Sequence, residues 1–260
     1  MPSSKSYWQV RLQDKIYKTQ TNLLKRRLTK VYREAEQTIN IQLTDLYMDI
    51  LSAGEQVTAN MLYQQNRYKK LQDLINEQII KLGKVEEKAV ANSLLTAYKQ
   101  VYQQTAKKFT VDFTWSLLDE NTAKQIVYAN FKGANFSQRI WENKSKLRQQ
   151  IEKSVIDSVV VGNSKDRAVK EIRQRFGVGF NDADRIVRTE VQRVLNDGQR
   201  QTYKDRGYSQ VKWLVADDDR LCDECEPLDN KIYEIDDAPS VVHPNCRCTF
   251  IPVLDKELFK

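Results

Sequence analysis

Glycine and proline are scarce in this 260-residue chain, with eight of the first and five of the second. Neither occurs between Pro2 and Gly54, so nothing in that stretch breaks a helix. No apolar run approaches the roughly 20 residues that a membrane-spanning helix needs, which leaves no membrane among the expected partners. Residues Met1 to Trp8 lack the apolar stretch of a secretory signal, so synthesis and folding in a cytoplasm are expected. Neither GxGxxG nor GxxxxGK[ST] occurs, which removes nucleotide binding through those loops, and no small-molecule substrate is expected. Histidine occurs once, at position 243, and no cysteine precedes Cys222.

Charge is plentiful but unevenly spread. Residues 213–260 hold 12 Asp/Glu against 5 Lys/Arg, a balance of −7, while residues 1–212 carry +14. Lys5, Arg11, Lys15, Lys18, Lys25, Arg26, Arg27, Lys30 and Arg33 face one acid, Asp14, between positions 5 and 33. A polyanion or an acidic protein surface is the partner such a segment suits. The plainer alternative is a Lys-rich helical surface facing water. There is no basic-region zipper and no two-Cys two-His finger, so any DNA binding is expected to be indifferent to sequence and salt-dependent.

Apolar residues recur at helical spacing through Trp8, Leu12, Ile16, Leu24, Leu28, Val31, Ile39, Leu43, Leu46 and Ile50. This predicts one long helix, or two with a break near 19–22. A helix capped by Thr58 and ended at Gly83 is expected next, then another over 84–108. Phe109 to Trp115 alternates like a strand. Ser137 is a candidate cap for a helix running to Val161, and Gly162-Asn163-Ser164 forms a turn and cap for a short helix to Phe176. Gly177 and Gly179 are read as the next turn, with Asn181 and Asp184 as the start of a helix fading toward Gly207. From Gln210 the pattern becomes β, with strands over 211–215, 231–235 and 249–253. The fold class is mainly α: an elongated helical region over 1–132, a central helical domain over 133–208, and a small Cys/His unit containing β-structure over 209–260.

All four cysteines and the histidine fall within Cys222-x-x-Cys225 and His243-x-x-Cys246-x-Cys248. Two donors three residues apart on a tight turn grip one face of a tetrahedral Zn²⁺, and a second pair completes it. Five candidates exceed four places: Cys222 and Cys225, then two of His243, Cys246 and Cys248. A structural zinc would pin a unit too small for a large core. Disulfides and reduced thiols packed in a core are the alternatives. A metal-dependent nuclease is the catalytic alternative, given His243-Pro244-Asn245-Cys246 and the acids Asp217, Asp218 and Asp219. Such an enzyme also needs a histidine base, and a lone histidine spent on metal leaves none. Arg188 and Glu190 either tie their helix to the C-terminal unit or form surface pairs, and Trp141 and Trp213 are expected core anchors.

The ordered set Arg188-Thr189-Glu190, Gly207, Trp213, Asp219, Cys222-x-x-Cys225, His243-Pro244-Asn245-Cys246-Arg247-Cys248 and Pro252 resembles the phage head-morphogenesis family typified by the F protein of phage Mu. The resemblance covers about residues 135–253. It implies a non-enzymatic minor head protein of a tailed phage, beside the portal and inside the virion head, aiding assembly and DNA ejection. It implies portal and other head proteins as partners, together with phage double-stranded DNA bound without sequence preference. Lys15, Lys18, Lys25, Arg26, Arg27 and Lys30 are the candidate DNA contacts, and Arg188, Glu190 and Trp213 are structural candidates. Some members carry toxin or transferase domains, and none is expected to follow Pro252.

Overall fold

A computed structural model describes residues 4–52, 54, 58, 60, 66–109, 119–215 and 222–253, with side chains from residue 13 onward save at 109. The described residues form five helices: α1 (Ser4–Ser52), α2 (Arg67–Ala106), α3 (Glu120–Val127), α4 (Phe136–Val160) and α5 (Lys165–Lys204). Three short strands follow: β1 (Gln210–Leu214), β2 (Ile232–Glu234) and β3 (Thr249–Pro252). The protein is mainly helical with a small C-terminal antiparallel sheet, as expected. No described helix is long and apolar enough to cross a membrane.

The chain forms two compact units. One comprises Lys25–Ala89 and Ala134–Asp184. Leu28, Ile39, Leu43, Leu46 and Ile50 of α1 are buried at the predicted helical spacing, with Tyr32 buried in place of the expected Val31, and no break occurs near 19–22. Leu71, Ile75 and Ile79 of α2, Ile140, Leu147 and Ile151 of α4, and Ile172 and Phe176 of α5 are buried in the same unit. A charged group sits in this apolar interior. Lys144 Nζ lies 2.7 Å from a Glu86 oxygen, and both side chains are almost wholly buried. Tyr32 donates to Glu86 at 2.9 Å and to the Gly179 carbonyl at 3.2 Å, and Lys144 donates to the Tyr32 oxygen. Burial pushes the Lys144 amine down and, with Glu86 beside it, raises the Tyr32 phenol. The three groups satisfy one another where water does not reach.

Several predicted boundaries are corrected, and glycine explains two of them. α2 runs straight through Gly83, where a Cβ would lie 2.7 Å from a Trp141 ring carbon. α5 likewise continues through Gly177 and Gly179, and a Cβ at Gly179 would lie 3.0 Å from Leu147. Neither the expected turn at 177–179 nor the Asn181 cap exists. At Gly83 and Gly179 the missing side chain admits a neighbouring helix, and the tertiary contact offsets the modest propensity cost of glycine. The cap of α4 is Asn135, which accepts from the Gln138 backbone while the Gln138 side chain accepts from Asn135 N. Ser137, the expected cap, instead donates to Glu87, which also accepts from Trp141 Nε1 at 3.1 Å. The turn at Gly162 and the start of α5 after Ser164 agree with expectation. The expected strand over 109–115 lies almost wholly outside the described residues, as do the first turn after Thr58 and Asp217 to Asp219.

The other unit comprises Met1–Leu24, Val90–Gly133 and Arg185–Lys260. β1 is central, paired antiparallel with β2 (Val211 opposite Tyr233) and with β3 (Trp213 opposite Phe250). Val211 and Trp213 point inward on alternate positions, and Trp213 is fully buried 6.1 Å from the Phe250 ring. Tyr203, Ile235, Val241, Cys225, Cys246 and Cys248 complete this small core. Here too a glycine marks a crossing, since a Cβ at Gly198 of α5 would lie 2.7 Å from Val101 of α2.

Replacing Lys144 by Met alone leaves Glu86 buried and uncompensated, so a loss of about 3–5 kcal/mol is expected. Adding Glu86→Leu should restore much of that loss, because two apolar groups leave no charge stranded. Chemical denaturation of both variants measures this, and a double variant as weak as the sum of the singles would contradict it.

Candidate metal centre

Two similar turns build the site. Cys225 N donates to the Cys222 carbonyl at 2.9 Å, and Cys246 N donates to the His243 carbonyl at 3.1 Å. Each bond folds the chain so that residues i and i+3 project to one side. Asn245 takes φ 63° in the second turn, a left-handed conformation that asparagine tolerates better than most residues. Its N–H donates at 3.0 Å to Thr189 Oγ1 of α5.

These turns bring His243 Nε2 to 3.1 Å from Cys222 Sγ and 3.2 Å from Cys225 Sγ. Cys225 and Cys246 sulfurs are 3.8 Å apart. The donor atoms of Cys222, Cys225 and His243 lie within 4.8 Å of one another, as do those of Cys225, Cys246 and Cys248. Cys225 is common to both triads. No disulfide joins the four cysteines. Hydrogen bonding by Cys248 pulls the Cys246 thiol down to about 5, whereas burial and the nearby Cys246 push Cys225 up to about 12. The donor set fits a soft divalent ion: thiolate and imidazole are the ligands that zinc prefers. The five residues singled out in the sequence are thus brought together, and the cluster can hold a metal such as zinc.

The second turn and the residues flanking it are held by helix α5 rather than by the sheet alone. Asn196 Nδ2 donates to the Cys248 carbonyl at 2.9 Å and also to the Ser240 carbonyl, and Gln192 Nε2 donates to Cys248 O at 3.3 Å. Gln13 of α1 and Gln199 extend this buried amide cluster, and Thr249 donates to Gln199 at 3.1 Å. Arg247, between two of the cysteines, pairs with Asp14 and lies 5.0 Å over the Tyr17 ring.

Arg193 is the other fixed point. Its guanidinium is buried against Glu190 at 2.7 Å and Asp197 at 3.0 Å. It also donates to the carbonyls of Ile126 and Val127, the last turn of α3, at 2.9 Å each. Past that helix end, Lys132 Nζ reaches the Val242 carbonyl at 2.8 Å, next to His243. Glu190 therefore has a structural partner inside the unit, while Arg188 is half-buried. Sequence reasoning missed Gln192, Asn196 and Gln199. Their signal was three amides at i, i+4 and i+7 on a helix face otherwise lined by Val191, Val194 and Leu195.

The six candidate DNA-contacting residues are exposed, Lys15 and Lys18 in one unit and Lys25, Arg26, Arg27 and Lys30 in the other. Lys18 pairs with Asp14 at 2.6 Å, and Lys30 approaches Glu34 at 3.8 Å. Exposed pairs of this kind are weak and leave most of the field intact.

Residues 149–251 match the family described as Phage Mu protein F like protein, so this stretch, which includes both turns, α5 and the sheet, is a Phage Mu F-like domain. The NAD(+)–arginine ADP-ribosyltransferase of Enterococcus faecalis is 25% identical over 158 residues. The alignment takes in 54% of this chain and 32% of that protein, so the chain spans about a third of the length of the curated relative it matches. No solved structure matches the chain.

Removing the Arg193 guanidinium strands Glu190 in the interior, so Arg193→Ala should cost about 3–5 kcal/mol. Arg193→Lys should recover little, because an ammonium cannot span two carboxylates and two carbonyls in one plane. Thermal unfolding of the pair measures this, and a lysine variant as stable as the parent would contradict it.

Proposed function

We propose that this chain, bearing a Phage Mu F-like domain, is a non-enzymatic minor head protein of a tailed phage that docks on the portal or other head proteins. The observation that carries the reading is the family match over residues 149–251, which takes in the buried Arg193–Glu190 pair and the Cys/His turns. In this reading the acidic Cys/His region, pinned by a structural zinc, is the rigid docking end. It works inside the head after assembly in the host cytoplasm.

The exposed cations of α1 support a second element of the same reading, contact with packaged double-stranded DNA. Lys25, Arg26, Arg27 and Lys30 crowd two turns of one helix with all four side chains in water. Such a surface binds phosphates through counterion release, without reading bases. The chain's one histidine argues against the nuclease alternative. Its Nε2 faces two sulfurs and its Nδ1 lies 2.8 Å from the Pro244 carbonyl, so neither nitrogen is placed to act as a base.

Fluorescence anisotropy with a random-sequence duplex tests the DNA contact on the full chain. Affinity should fall steeply with salt. Reversing Lys25, Arg26, Arg27 and Lys30 to Glu should weaken binding at least tenfold and flatten the salt slope by about 0.9 for each phosphate no longer neutralised. Binding unaffected by both changes would remove DNA from the account. Failure of the chain to co-purify with its portal protein would remove the docking role.

A further inference from the structure

Five donors converge where a tetrahedral ion takes four, and the geometry distinguishes them. We infer that the ion is held by Cys222, Cys225, His243 and Cys246, and that Cys248 is a positioning thiol outside the coordination sphere. The inference rests on the metal reading of this site and goes beyond it by assigning each donor.

The backbone makes the first distinction. Cys222 with Cys225 and His243 with Cys246 occupy the two ends of equivalent turns, each closed by an i+3 to i hydrogen bond. Cys248 belongs to neither turn. It immediately precedes β3, and its carbonyl is tied to Asn196 and Gln192 of α5. That anchoring fixes its backbone to the helix.

The imidazole makes the second. With Nδ1 donating to the Pro244 carbonyl, Nε2 carries the lone pair and faces the sulfurs of Cys222 and Cys225. A backbone carbonyl on the remote nitrogen is the usual device that orients a histidine ligand. A lone pair aimed at two cysteine sulfurs can accept from a thiol S–H or, once both are thiolates, share a cation with them. Those three donors leave one place.

Cys246 suits it by its turn and by its distance from Cys225, the donor common to both triads. With Zn–S near 2.3 Å, a tetrahedral sulfur–sulfur edge is about 3.8 Å, which matches the 3.8 Å between Cys225 and Cys246. Charge agrees. Three thiolates and one imidazole around a divalent ion leave −1, whereas four thiolates leave −2 within a segment already at −7. The second arrangement is the costlier to bury. Cys248, whose sulfur lies within 4.8 Å of those of Cys225 and Cys246, is then placed to donate its S–H to a bound sulfur and to spread that charge.

Cobalt(II) in place of zinc in the full chain reports both geometry and thiolate number, because sulfur-to-cobalt charge-transfer absorption scales with the number of Co–S bonds. Cys248→Ala and Cys248→Ser should keep one tetrahedral cobalt with wild-type charge-transfer intensity per ion. Cys246→Ser should lose about a third of that intensity, one of three Co–S bonds. Release to a chelator should be about tenfold faster in Cys248→Ala, as when a supporting partner of a metal ligand is removed, and slow again in Cys248→Ser, whose hydroxyl restores a donor. Reduced intensity in Cys248→Ala, together with an unchanged spectrum in His243→Gln, would overturn the assignment in favour of four thiolates. A wild-type chain that binds neither cobalt nor zinc would instead overturn the metal reading beneath it.

Discussion

The polar, buried face of helix α5 is the constraint on which the C-terminal part of the protein depends. A sheet of three short strands is marginal by itself, and its loops carry carbonyls that must find donors once covered. Asn196 and Gln192 supply those donors, to Ser240 and Cys248, and Arg193 does the same for Ile126 and Val127 at the end of α3. Each is directional, so the face fixes the segment that carries the second Cys/His turn as well as covering it. An apolar helix face would bury as much area but would leave those carbonyls unsatisfied, at about 1–3 kcal/mol apiece. A bound metal would act together with the polar face. The helix holds the backbone of the second turn through Thr189 and that of Cys248 just beyond it through Asn196, and an ion would close the sulfurs that burial brings together.

The same logic operates in the other unit with different chemistry. Tyr32, Glu86 and Lys144 form a closed set of partners among Leu, Ile and Phe side chains. Such a set adds little net stability compared with apolar packing, but it penalises any register that separates its members. The Phage Mu F-like domain begins at residue 149, within α4, so the exposed cations of α1 lie outside the matched segment.

Much of this organisation is legible in the sequence. Periodicity gives the buried face of α1, alternation gives β1, and the clustering of Cys222 to Cys248 locates the site. Glycine misleads at Gly83, Gly177 and Gly179, because local rules treat it as a terminator. Its role at Gly83 and Gly179 comes from Trp141 and Leu147, which are distant in sequence. The α4 cap is displaced from Ser137 to Asn135 for a related reason, since Ser137 is engaged by Glu87 of another helix. The anchoring amides of α5 are visible as residues but not as partners, because the carbonyls they satisfy lie 44 to 56 positions away.

Elemental analysis of the reduced protein, paired with a thiol count under native conditions, tests the proposed metal pinning of the Cys/His unit most directly. The account predicts one zinc per chain, with the coordinating thiols reacting only after chelation. A metal-free chain that remains folded and offers its cysteines to a thiol reagent at once would contradict it.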